Sequence, residues 1–317
     1  MAELPRLVLA REHIQQGLTP KMLARRCATG ALIRLRQGVY VDGEAWGSLQ
    51  PWDQYRLRVQ AAAETFTAPT VFARHSAASV WGVPTVGHHH PVHALTFQND
   101  GGRSRAGVRR HYADPAGVKV FSHDGLLVTG RVRTVLDLAA FTPFAEAIVP
   151  LDHVLRPDAA RNLPPLSKEQ LLAETEGNYT AAAARRITAA IEFADAQSAS
   201  AGESYSRALV HVAGFETPAL QHEIRDVGGL IGYSDYYWES ARIVGEFDGI
   251  EKYLKPEYLK GRTTSQAVVD EKYREDRIRA TGRTVVRWVW ADLMVPGRLE
   301  RKLSAAGVPR RRTRSAR

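Results

Sequence analysis

The stretch G-Y-S-D-Y-Y-W-E-S-A-R-I-V-G-E-F-D-G, residues 232–249, decides how the C-terminal third of the chain is read. Two β-prone runs, Tyr233–Trp238 and Ile243–Asp248, flank Glu239–Arg242, four residues of hairpin-loop length. Closing that loop pairs Trp238 with Ile243, and counting back places Asp235 opposite Glu246. Like charges facing each other across a ladder destabilise a sheet. The two-residue period adds Asp248 to the face of Glu246. Three carboxylates on one patch, beside Ile243, Val244, Tyr236, Phe247 and Trp238, suit a hard cation, since Mg²⁺ is held by one or two carboxylates with water and phosphate oxygens. A solvated acidic face at the end of an edge hairpin has the same spacing, and spacing alone leaves both readings open.

Outward from the hairpin, Ser204–Val212 reads as a helix introduced by Glu203 and stopped by Gly214, and Leu220–Ile224 as a first strand. Val268–Thr281 is a charged helix ending at Gly282, Thr284–Trp290 a buried strand, and Asp292–Leu303 a last helix broken at Pro296-Gly297. Helix, strand, hairpin, helix, strand, helix is an α/β order around a mixed sheet.

At the other end, Thr19-Pro20 is an N-cap followed by proline at the first helical position. The helix Pro20–Thr29 carries Met22, Leu23 and Cys27 on its apolar side, and Leu32–Val41 reads as two strands around a Gln37-Gly38 turn. Lys21, Arg25, Arg26, Arg34 and Arg36 lie between Leu18 and Gly38 with no acidic residue among them. A basic helix beside a basic wing is the layout of a winged helix-turn-helix; a solvated basic face on a helical scaffold is the plainer alternative.

Between these ends, helices near Trp52–Thr65 and His75–Trp81 and strands around Val92–Phe97, Val108–Tyr112 and Leu126–Val128 make residues 61–150 an α/β segment. His88-His89-His90 and His93 have no cysteine or carboxylate at ligand spacing, so they read as a histidine-rich loop entering a strand. Asn99–Gly102 is a turn, followed by the basic group Arg103, Arg105, Arg109, Arg110 and His111. Residues 151–200 form a helical connector broken at Leu163-Pro164-Pro165, with Ser167 as an N-cap. The parts expected are 1–60, 61–150, 151–200, 201–305 and a basic disordered tail, 306–317.

The whole chain has 317 residues and a formal charge of +9, with a pI near 9.8, which favours an anionic partner such as nucleic acid. Part of that charge is the tail, where Arg310, Arg311, Arg312, Arg314 and Arg317 crowd together. Cys27 is the single cysteine, which excludes an internal disulfide framework and fits a reducing cytoplasm. No apolar run reaches the ~20 residues of a membrane span.

The ordered set L-T-P-K-M-L-A-R-R-C-A-T-G-A-L-I-R-L-R-Q-G-V-Y at 18–40, F-A-R-H-S-A-A at 72–78, W-G-V-P at 81–84 and L-V-T-G-R-V-R-T-V-L-D-L-A at 127–139 resembles the AbiEi family, the antitoxin-type repressors of type IV toxin–antitoxin systems. That resemblance covers about residues 1–145. It implies a winged helix that binds promoter DNA and a following segment for regulation or for contact with a cognate toxin or other protein partner. The C-terminal pieces, G-E-S-Y-S-R at 202–207, the S-D and E-F-D-G of the hairpin, and D-E-K-Y-R-E-D-R-I-R-A-T-G-R-T-V-V-R-W-V-W-A-D-L at 270–293, resemble the Vsr-like branch of the PD-(D/E)XK nucleases over about residues 201–304. This second resemblance implies Mg²⁺ (or Mn²⁺) on Asp235, Glu246 and Asp248, with Glu203 as the acid of the first helix. The general family has a lysine two places after its second acid; here that place is Asp248, so Lys252 or Lys272 is the expected ammonium. Arg287 and Lys272 are expected on the DNA backbone. Two functions follow: a metal-dependent DNA endonuclease, or a non-catalytic antitoxin-like repressor whose nuclease fold binds DNA or a partner.

Overall fold

The computed structural model describes residues 4–15, 19–98, 104, 107–249 and 264–311. The chain is a multi-domain α/β protein with three sheets among the described residues. It divides into two compact units, Met1–Thr142 with Val154–Glu192, and Pro143–His153 with Phe193–Arg317. The expected five parts therefore regroup. Winged helix and α/β segment share one unit, and the helical connector is divided between the two.

In the first unit, β1 (Val8–Leu9), α1 (Ala10–Gln15), α2 (Pro20–Ala28), β2 (Leu32–Arg36) and β3 (Val39–Asp42) build a three-stranded antiparallel sheet, β1-β3-β2, with two helices. Thr19 caps α2 by accepting from the Met22 amide at 3.3 Å, as the Thr-Pro pair implies. Leu23 is buried in the core, while Met22 is exposed, so the apolar side of α2 is narrower than expected. Then come α3 (Gly43–Ser48), α4 (Pro51–Ala63), β4 (Val71–Phe72), α5 (Arg74–Trp81), β5 (Val92–Thr96), β6 (Val108–Tyr112), β7 (Val120–His123), β8 (Leu126–Thr129) and α6 (Arg131–Phe141). The five strands form a mixed sheet, β6-β5-β4-β8-β7. Tyr55, Leu57 and Val59 of α4 and Ala77, Ala78 and Val80 of α5 are buried.

Four imidazoles from α5, its following loop, β5 and β6 line up in this unit. The ring of His75 stacks on His90 at 3.8 Å and lies 5.3 Å from His93, which stacks on His111 at 5.1 Å. His93 Nδ1 and His111 Nε2 share a hydrogen bond at 2.8 Å. Burial pushes His75 and His93 down to about 3 and His111 to about 4.

The second unit begins at Pro143 and takes α7 (Phe144–Val154) as far as His153; α8 (Lys168–Ala173) and α9 (Ala181–Phe193) up to Glu192 belong to the first. α10 (Ala201–Val212), β9 (Ala219–Asp226), β10 (Gly229–Trp238), β11 (Ile243–Phe247), α11 (Thr264–Ala280), β12 (Thr284–Trp288), α12 (Trp290–Leu293) and α13 (Arg298–Ala305) follow. The sheet order is β12-β11-β10-β9; β9, β10 and β11 run antiparallel, and β11 and β12 parallel. One face buries Tyr236, Trp238, Phe247 and Trp288 with Val210 of α10. The other buries Tyr237, Val244 and Val285 with Ile278 of α11. Gly245 is required between the indoles, for a Cβ there would meet Trp288 at 2.8 Å and Trp238 at 2.9 Å. Arg207 of α10 holds Asp152 of α7 through two bonds of 2.8 and 2.9 Å, both side chains buried.

Residues 306–311, expected as part of a disordered tail, are packed. Val308 is buried, the Glu216 amide donates to the Pro309 carbonyl at 2.8 Å, and the Arg311 amide to the Gly214 carbonyl at 2.9 Å. Packing onto Phe215 therefore orders the chain at least to Arg311; Arg312, Arg314 and Arg317 lie outside the described residues.

Candidate metal and nucleic-acid site

The hairpin pairs Trp238 with Ile243, Tyr237 with Val244 and Tyr236 with Gly245. The ladder pairs end there; Asp235 and Glu246 are the next residues on each strand, near enough for the Asp235 charge to act on Glu246. Strand alternation then fixes the face. Asp235 lies two residues before Tyr237, Glu246 two after Val244, and Arg287 two after Val285, so all three belong to the side covered by α11. Asp235 and Glu246 are 9% and 6% exposed. Asp235 Oδ2 accepts from the Phe247 amide at 2.8 Å, which anchors it to the neighbouring strand. The Asp248 amide donates to the Trp288 carbonyl at 2.9 Å, carrying the β11–β12 pairing one residue past β11.

Guanidinium groups answer these carboxylates. Arg274 of α11 donates to Glu246 Oε1 at 3.0 Å, to the Tyr233 carbonyl at 2.7 Å and to Glu271 at 3.0 Å. Arg287 donates to Asp248 at 3.1 and 3.3 Å, to Glu275 at 2.9 Å and to Glu271. Burial would lower Arg287, but Glu271 and Asp248 hold it above its ordinary value. Burial pushes the Glu246 carboxyl up to about 7; Arg274 opposes that rise and Asp235 adds to it.

A folded-state value above the unfolded one means that Glu246 contributes stability below its unfolded value near 4.5, lost as pH rises through about 7. Glu246→Gln is therefore expected to leave the melting temperature in chelator at pH 8 unchanged or raised. A clear drop at that pH, in thermal denaturation followed by circular dichroism, identifies Glu246 as a structural acceptor for Arg274.

The remaining expected site residues fall in different places. Glu203 is tied into the start of α10: its amide donates to Ser200 Oγ at 3.2 Å, and its carboxylate accepts from the Ala199 amide at 2.7 Å and from Ser200 Oγ at 2.8 Å. Ser200, not Glu203, is the N-cap, and α10 covers the face opposite Asp235. Lys252 lies outside the described residues. Lys272 is exposed on α11. On the winged helix, Lys21, Arg25, Arg26 and Arg34 are exposed, whereas Arg36 turns its Nε to Thr65 Oγ1 at 3.2 Å. Arg274, Glu271 and Glu275 were not singled out from the sequence; their three- and four-residue spacing on one helix was the available signal.

No group of three metal-ligating side chains occurs among the described residues. Asp235 and Glu246 still fit a Mg²⁺ or Mn²⁺ ion, because such ions take one or two carboxylates and complete their shell with water and phosphate. Two acidic side chains buried next to each other, one pushed toward neutrality, are the donor set a cation would relieve.

No family model matches the chain. Two uncharacterized proteins of Mycobacterium tuberculosis, from strains CDC 1551 / Oshkosh and ATCC 25618 / H37Rv, are each 28% identical over 290 residues, covering 90% of this chain and 96% of the relative. Among solved structures, that of the RV2827C protein from Mycobacterium tuberculosis is 18% identical with a TM-score of 0.38, over 70% of this chain and 84% of that one.

Proposed function

We infer that this chain is a divalent-metal-dependent hydrolase of DNA phosphodiester bonds, brought to its substrate by its own winged helix. The observation that carries the reading is the burial of Asp235 and Glu246 close to each other, with the Glu246 carboxyl pushed up to about 7 and Asp235 adding to that rise. Such an arrangement is costly as pure structure, and perturbed carboxylates cluster where function needs them. The resemblance of the hairpin and the 270–293 run to Vsr-like nucleases supports it.

Asp235 and Glu246 are the residues that hold the metal. When bound, the ion supplies a charge sink for the phosphoryl oxygens and a water of lowered pKa. Asp235, pinned by the Phe247 amide, presents its carboxylate in a fixed orientation. Arg274 pairs with Glu246. Arg287 is committed to Asp248, Glu271 and Glu275, so it positions those acids, and exposed Lys272 is the better contact for a DNA phosphate. Lys252 is assigned the ammonium that steadies charge on the phosphate.

A second reading has its own observation. With Glu246 and Asp248 each held by an arginine, the fold is also suited to binding DNA or a partner without cutting, as an antitoxin-like repressor does. DNA association is common to both readings and rests on Lys21, Arg25, Arg26 and Arg34. Replacing these four by alanine is expected to weaken DNA binding and to lower the log–log salt slope by about 0.9 for each phosphate that the variant no longer neutralises. Fluorescence anisotropy across a salt series measures it. An unchanged slope in a folded variant takes the winged helix off the DNA.

A further inference from the structure

At the start of α5, beside β5 and β6, the first unit gathers more positive charge than the acids around it balance. β5 and β6 pair in parallel, His93 beside Arg109 and Leu95 beside His111. The two-residue period then sets Arg109 and His111 on the face of His93. Arg74, the first residue of α5, comes to the same place. It repels Arg109, His93 and His111, and its guanidinium lies over the Phe141 ring, 3.9 Å from the centroid.

Three observations point to an anion here. Neither the Arg74 nor the Arg109 guanidinium donates a hydrogen bond or forms an ion pair among the described residues. Asp137, the acid that attracts Arg74, is committed elsewhere: its Oδ1 accepts from Arg133 Nε at 2.8 Å and from the Tyr179 hydroxyl at 2.8 Å. Burial lowers Arg74; Asp137 opposes that fall, and Arg133 and Arg109 add to it. Next, His111 meets His93 Nδ1 through its Nε2 at 2.8 Å, which leaves its own Nδ1 for another partner. Last, Arg74 has a φ of 50°, in the left-handed region that a long side chain enters at a cost, and such outliers collect at ligand sites.

We infer that this cluster binds a phosphate monoester, either a small free one or one at the end of a nucleic-acid strand. Charge and donor geometry select it. A phosphate monoester carries about two negative charges at pH 7 and three acceptor oxygens, and guanidinium forks match such oxygens in pairs. A carboxylate or a phosphodiester brings a single charge and leaves the mutual repulsion of Arg74 and Arg109 half answered. Arg109 is exposed and Arg74 half-buried, so the site opens to solvent. The cluster lies wholly within the first unit, so it stands or falls independently of the metal site.

The test titrates the full chain with methyl phosphate by isothermal calorimetry, without DNA and at constant ionic strength, with dimethyl phosphate and acetate as singly charged controls. Methyl phosphate is expected to saturate by about 10 mM and to bind at least tenfold more tightly than either control. Arg74→Gly removes the guanidinium and suits the positive φ. It is therefore expected to weaken methyl phosphate at least tenfold with a melting temperature unchanged or raised. Arg109→Gln, at an exposed strand position, is expected to weaken it similarly and decides the matter if Arg74→Gly unfolds. Arg6→Ala, which removes the same charge from an exposed residue outside the cluster, is expected to leave the affinity within twofold. In NMR spectra the His93 and His111 ring resonances are expected to move with methyl phosphate, while that of His222 in the second unit stays. Controls that bind as tightly, wild-type affinity in a folded Arg74→Gly or Arg109→Gln, or unmoved His111 resonances overturn the site. A last arm compares short DNA duplexes with 5′-phosphate and 5′-hydroxyl ends. A threefold or larger preference for the phosphorylated ends, abolished by Arg74→Gly, makes a strand end the source of the phosphate; equal affinity makes it a small free ester.

Discussion

Asp235→Asn is expected to abolish divalent-cation binding and to lower DNA cleavage by about 10³-fold or more, while DNA affinity stays within twofold. Asparagine is the informative replacement. The Asp235 carboxylate accepts from the Phe247 amide, and alanine would leave that buried N–H unpaired at about 1–3 kcal/mol. The asparagine amide oxygen keeps the acceptor and removes the charge. One charge fewer beside Glu246 also lets that carboxyl ionise more readily, because Asp235 is one of the groups that raise it. Calorimetric titration with Mn²⁺ reads metal binding independently of cleavage. In the proposed reading DNA affinity rests on exposed arginines and lysines, so anisotropy with the same variant isolates the chemical step. Wild-type cleavage by Asp235→Asn means that the metal is held elsewhere.

The second large effect concerns acid. His75 and His93 are 9% and 6% exposed and are held near 3 by burial, with Arg74 adding repulsion to both and Arg109 to His93 and His111. The unfolded chain takes up protons at histidine near 6.5, whereas the folded chain does so only near 3 to 4. Between those values the unfolded state binds more protons, so stability is highest above pH 6.5 and is lost as pH falls toward 4. Each histidine kept neutral steepens that loss by up to about 1.4 kcal/mol per pH unit, so His75 and His93 together reach about 3 kcal/mol per unit. Denaturant titrations at pH 7, 6, 5 and 4 are expected to show a collapse of the first unit's stability, with the histidine ring resonances staying neutral until it unfolds. His93→Phe, which keeps a ring for the stack and cannot protonate, is expected to flatten the slope. A slope unchanged by that substitution, or imidazoles that protonate near pH 6 in the folded protein, removes the stack as the cause.

The hairpin was legible because its register depends on local quantities, a four-residue loop and a two-residue alternation. Trp238 opposite Ile243 follows from them, and with it the meeting of Asp235 and Glu246. The arginines that answer those acids were not legible. Glu271, Arg274 and Glu275 sit on a helix charged around its circumference, and nothing in its pattern says which side faces the sheet. Tertiary packing of Ile278 against Val244 and Val285 decides that. Arg36 was misplaced for a related reason, since a β-bulge between Arg34 and Arg36 inserts a residue that the period of two does not anticipate. His90 and His93 are neighbours in the chain, but their stack is completed by His75 and His111, which only the packing of α5 and the pairing of β5 with β6 bring alongside. Among the described residues no helix is long and apolar enough to cross a membrane.

The central claim, that the chain cuts DNA with a metal held by Asp235 and Glu246, is tested most directly by incubating purified wild-type protein with DNA in Mg²⁺, in Mn²⁺ and in chelator. Supercoiled plasmid, single-stranded, mismatched and branched substrates all belong in the assay. Nicking or cleavage of at least one substrate with metal, none in chelator and none by Asp235→Asn is the expected result. Intact DNA in every lane, from protein that still binds a promoter beside its own gene, contradicts the claim and leaves the repressor reading in its place.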